Sequence, residues 1–93
     1  MIVMLFKKAA KEVFMETKAF ILIETAVGKS RDVARQLSDL QPIRSVDSVT
    51  GPYDIIAVAS ASDLNEVGNL VSTQIHNIDG IVRTVTCLSV SNG

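Results

Sequence analysis

The stretch Thr50-Gly51-Pro52-Tyr53-Asp54, followed directly by Ile55-Ile56-Ala57-Val58-Ala59, constrains this chain more than any other. Gly51 permits a positive φ and Pro52 sets its own φ, so Thr50 to Tyr53 reads as a tight turn. The run after the turn has no polar side, so it reads as a strand covered on both faces. Asp54 stands at the mouth of that strand. A carboxylate there requires a partner or water, because burying an unpaired charge is costly.

The other elements follow from this one. Residues 18–26 form a strand, apolar on both faces over 20–23. Residues 29–40 form a helix with Val33, Leu37 and Leu40 on one face, ended by Gln41-Pro42. Residues 43–50 are a strand of mixed polarity, as suits a sheet edge. They make a hairpin with the strand of 53–60. Ser62 or Asp63 caps a second helix, which runs to about residue 77 with Leu64, Val67, Val71 and Ile75 as its apolar stripe. Asp79-Gly80 is a turn, and residues 81–90, rich in β-branched side chains, are the last strand.

The order βαββαβ predicts an α+β, ferredoxin-like domain: a four-stranded antiparallel sheet with two helices on one face. Two helices on one face leave the other face bare, although its strands are apolar on both sides. A domain within a chain of only 93 residues also buries little surface alone. Phe20, Leu22, Ile56 and Val58 are therefore expected at a dimer interface, with two sheets packed face to face.

The first 14 residues stand apart. An apolar run, Met1 to Phe6, precedes the charges of 7–12, the reverse of a secretion signal. Lys11-Glu12-Val13 can be encoded by a bacterial ribosome-binding sequence placed just before Met15. Residues 1–14 are thus expected to be a translated leader, with residues 15–93 as the domain. The alternative is a short amphipathic helix carrying Ile2, Leu5, Phe6, Ala9, Val13 and Phe14 on one face.

Several functions are disfavoured by composition. The net charge of −1 and the scattered basic residues give no nucleic-acid footprint. One histidine and one cysteine cannot close a zinc site, and no metal or cofactor is expected. The lone Cys87 excludes an internal disulfide, fits a reducing, cytoplasmic setting, and reads as a small buried hydrophobe. No apolar run reaches the roughly 18–20 residues of a membrane span.

Residues 50–56, taken with Ile78-Asp79-Gly80-Ile81-Val82-Arg83-Thr84-Val85-Thr86, resemble the effector-binding domain of the leucine-responsive regulator/AsnC (Lrp/AsnC) family. The resemblance runs from about Thr17 to Val90. It implies the fold derived above, dimers joined through their sheets, rings that are often octamers, and an amino acid or similar effector bound between dimers. The helix-turn-helix segment of full-length members has no counterpart here, and 14 residues cannot supply one. The resemblance therefore implies a stand-alone effector-binding module without direct DNA binding, able to form mixed oligomers with a full-length regulator.

On that resemblance the turn borders the effector pocket, and Gly51, Pro52, Tyr53, Asp54 and His76 are the candidate ligand-binding residues. Pro52 has no N–H, so Gly51 and Tyr53 would donate to a carboxylate. Asp54 suits an α-ammonium group. Each also has a plain structural role to weigh: hairpin turn for Gly51 and Pro52, strand start for Tyr53, local turn carboxylate for Asp54, and dipole-favoured cation at a helix end for His76. The fold also hosts small dimeric α+β-barrel monooxygenases and isomerases, and fold alone does not decide function. Here only His76, Asp54 and Tyr53 could serve as acid or base, and no catalytic constellation surrounds them. A purely structural oligomer is the third possibility.

Overall fold

The structure is a computed structural model that describes residues 16–90. The expected leader, residues 1–14, lies outside the described residues. The elements are β1 (Thr17–Thr25), α1 (Ser30–Ser38), β2 (Ile43–Ser48), β3 (Ile55–Ala61), α2 (Leu64–Asn69), a π-helical continuation of α2 (Leu70–Ile75) and β4 (Ile81–Leu88). The sheet order is β2-β3-β1-β4, and every neighbouring pair is antiparallel. This is the expected ferredoxin-like α+β fold.

The strand period of two sorts the apolar residues onto two faces. Ala19, Ile21 and Ile23 of β1 and Ile55, Ala57 and Ala59 of β3 are fully buried. There they meet Val33 and Leu37 of α1 and Leu70 and Ile75 of the second helical element. Burying each large aliphatic side chain contributes about 1.5–3 kcal/mol. The intervening residues point the other way. The register sets Leu22 between Ile56 and Val85, and Phe20 between Val58 and Cys87. Phe20, Leu22, Ile56 and Val58 are only half-buried. Within the single chain, then, the apolar run is covered on one face and not on the other. Cys87 differs from its expected burial: it is exposed, because it lies on this open face of the edge strand β4.

β2 is the other edge, as its polar pattern predicted, with an irregularity in register between Ile43 and Ser45. α1 ends at Ser38, earlier than expected. Asp39 and Leu40 donate to carbonyls only three residues back, at 3.2 and 3.0 Å, which tightens the chain ahead of Pro42.

α2 begins at a clear cap. Asp63 accepts from the Glu66 N–H at 2.9 Å, and Glu66 Oε1 accepts from the Ser62 N–H at 3.1 Å. The expected single α-helix does not continue to residue 77. From Leu70 the helix widens, and the His76 N–H donates to Val71 O, five residues back, at 2.9 Å. The wider turn lets Leu70 and Ile75, five apart, both enter the core. Of the expected stripe, Val67 and Ile75 are buried, Val71 is half-buried, and Leu64 is 60% exposed.

Gly80 locks the two halves together. Its φ is +102°, and its carbonyl accepts from the Ala26 N–H at 2.8 Å. A methyl group in place of its hydrogen would lie 2.8 Å from Lys29 Cβ. Lys29 also pairs with Asp79 at 3.6 Å. The start of β4 is thereby pinned to the entry of α1.

Candidate functional site

The turn ahead of β3 is closed by its own backbone. Val49 N–H donates to Asp54 O, and Asp54 N–H donates to Ile23 O on β1, both at 2.9 Å. Gly51 has φ +149°, a conformation that side chains rarely adopt, so the glycine is required there. Gly51 and Pro52 are exposed, while Tyr53 and Asp54 are half-buried.

Asp54 is held from one side. Its Oδ2 accepts from the Thr25 N–H at 2.8 Å and from Thr25 Oγ1 at 3.2 Å. Thr25 Oγ1 also lies 2.9 Å from Ser30 Oγ at the start of α1. One oxygen of the carboxylate is thus committed to the end of β1. The other, Oδ1, accepts no hydrogen bond among the described residues. The backbone N–H groups of Gly51 and Tyr53 likewise have no acceptor among the described residues.

Tyr53 has a neighbour that the sequence reading did not single out. The Arg83 guanidinium carbon lies 5.3 Å from the centre of the Tyr53 ring. Arg83 in turn lies opposite Glu24 in the β1–β4 ladder, with Nε 3.3 Å from Glu24 Oε1. Thr25 and Glu24 lie outside both motifs, and Arg83, although inside the second, has no role assigned by it. Only the strand register brings them to the turn, and counting back along β1 and β4 from the paired apolar residues would have found them.

His76 stands elsewhere. Its Nε2 lies 3.0 Å from Thr84 Oγ1, on the exposed margin of the sheet. Thr84 is paired with Ile23, on the helix-covered face, whereas its neighbour Arg83 is paired with Glu24, on the open face. His76 and Tyr53 therefore engage adjacent β4 residues from opposite sides of the sheet. Gly51, Pro52, Tyr53 and Asp54 form one cluster, and His76 does not join it through any contact among the described residues.

The helix-covered side carries an open groove between the two helices, lined by Gln36, Asp39, Leu40, Gln74, Asn77 and Ile78. Among the described residues no group of histidine, cysteine and carboxylate side chains could hold a metal ion. No helix among them is long and apolar enough to cross a membrane.

This geometry has known relatives. A family model described as the Lrp/AsnC ligand binding domain matches residues 18–92. An uncharacterised HTH-type transcriptional regulator of Pyrococcus horikoshii is 32% identical over 82 residues, covering 85% of this chain and 55% of its own length. The chain thus spans about half the length of that curated relative. The crystal structure of TTHA0845 from Thermus thermophilus superposes with a TM-score of 0.77 at 31% identity, over 81% of this chain and 94% of that one. The transcriptional regulator NMB0573 of Neisseria meningitidis, solved as an L-Met complex, superposes with a TM-score of 0.79 over 88% of this chain and 55% of that one. At 18% identity that last likeness shows the fold alone. The matching family is one of regulatory ligand-binding domains rather than of enzymes. The turn, the sheet order and these matches together identify the chain as a member of the Lrp/AsnC ligand-binding domain family.

Proposed function

We propose that these residues bind an amino acid or similar small effector at the turn of residues 50–54, between dimers, and modulate transcription without themselves contacting DNA. The observation that carries this reading is the turn itself. The donors of Gly51 and Tyr53 lack acceptors among the described residues, next to an Asp54 carboxylate with one oxygen held and one open. Such a set suits a zwitterion: the N–H groups take its carboxylate and Asp54 takes its ammonium group. The L-Met complex of the Neisseria regulator, which shares the fold, supports the ligand class.

Two copies would join through Phe20, Leu22, Ile56 and Val58, the half-buried residues of the open face. Dimers would then assemble into a ring, alone or mixed with a full-length Lrp/AsnC regulator. The Thermus chain, matched over 94% of its length, is a module of similar extent. An effector would act by binding one assembly state better than another.

A thermal-shift screen against the twenty amino acids tests the reading. A ligand at one hundred times its dissociation constant should add about 2.7 kcal/mol of stability. No shift with any amino acid would sink it. Ligand-induced change in assembly separates an effector module from a passive scaffold, and turnover of small aromatic substrates would identify an enzyme instead.

A further inference from the structure

We propose that Arg83 is the anion-binding side chain of the effector turn and that Glu24 is its built-in competitor. This rests on the effector reading above and adds two residues to it. Arg83 reaches the turn from β4 and lies against the ring of Tyr53, whose own N–H lacks an acceptor among the described residues. A carboxylate at Tyr53 would therefore meet a main-chain donor and a guanidinium together.

The guanidinium is available for this. Its contact with Glu24, at 3.3 Å from Nε, is an ion pair without a hydrogen bond. None of its five N–H groups is hydrogen-bonded among the described residues. An arginine fork binds carboxylates in a two-point geometry that a lysine cannot copy. The resident pair is also weakly held. The two side chains are 58% and 41% exposed, and ion pairs in such surroundings are worth little. An incoming carboxylate gains two-point bonding that Glu24 does not make, so it can displace Glu24.

The sign of each substitution follows. Arg83→Gln should weaken amino-acid binding by about ten- to a hundredfold, the loss of a hydrogen bond to a charged group. Arg83→Lys keeps the charge without the fork and should fall between. Glu24→Gln removes the competitor and should strengthen binding by about two- to fivefold, the worth of an exposed pair. L-amino-acid carboxamides lack the anion, so their affinity should be insensitive to Arg83→Gln.

The experiment is calorimetry of wild type, Arg83→Gln, Arg83→Lys and Glu24→Gln against the twenty L-amino acids and their carboxamides, with circular dichroism to verify folding. Opposite changes for Arg83→Gln and Glu24→Gln, confined to the acids, are the expected result. Equal affinity of a bound amino acid for wild type and folded Arg83→Gln overturns this inference and leaves the effector reading intact. Failure of every amino acid to bind wild type overturns both.

Discussion

Thr25 and Asp54, 29 residues apart in sequence, are joined by two hydrogen bonds to one oxygen: the Thr25 N–H at 2.8 Å and its hydroxyl at 3.2 Å both meet Asp54 Oδ2. The bonds tie the end of β1 to the mouth of β3, so Asp54 has a structural task as well as its proposed ligand contact. The two tasks separate by substitution. Asp54→Ala leaves the half-buried Thr25 N–H unmatched and should cost about 1–3 kcal/mol of stability. Asp54→Asn keeps a carbonyl oxygen for Thr25, so the fold should survive, while ligand affinity falls by about 1.5–3 kcal/mol through loss of the charge. Urea denaturation and calorimetry of both variants check this. Unchanged affinity in Asp54→Asn would leave the residue as a structural carboxylate alone.

The two turn glycines should differ in cost. At Gly51 an added methyl group meets nothing within 4 Å, so Gly51→Ala carries only backbone strain, about 1–3 kcal/mol. At Gly80 the methyl group meets Lys29 Cβ at 2.8 Å and Val33 Cγ2 at 3.2 Å, on top of φ +102°. Gly80→Ala should therefore be the more destabilising in chemical denaturation. The reverse order would contradict the close approach of β4 to α1.

The open face should carry assembly. Light scattering of the wild type at micromolar concentration should give a dimer or larger species. Ile56→Asp places a charge between Leu22 and Asp47 on the face away from the helices. It should yield a monomer whose circular dichroism is preserved, since Ile55 and Ala57 still fill the core. A wild-type monomer would remove the face-to-face arrangement.

Duplex DNA should bind this chain no better than nonspecifically, at about 10⁻⁴ to 10⁻⁶ M. The net charge is −1, and α1 and α2 are both engaged in covering the sheet. Tight, sequence-dependent binding in a gel-shift titration would overturn the proposed mode of action.

The six-element order, the turn at 50–53, the edge position of β2 and a helix cap at Ser62 or Asp63 were legible in the sequence alone, because each is encoded within a few neighbouring residues. Periodicity also revealed that β1 and β3 carry apolar side chains on both faces. Periodicity misleads for the second helix: an α-helical stripe through Val67 places Leu64 inside and passes over Leu70, whereas Leu64 is exposed and Leu70 buried. The core accepted a wider turn in order to bury Leu70 with Ile75, and packing outweighed the α-helical period. The partners of Asp54, the Glu24–Arg83–Tyr53 cluster and the fit of Gly80 against Lys29 were decided only in the folded chain. Each joins residues on different elements, and strand register together with helix docking sets which side chains meet. A shift of one residue in the β1–β4 pairing would turn Arg83 to the other face and away from Tyr53, without changing any local preference in the sequence.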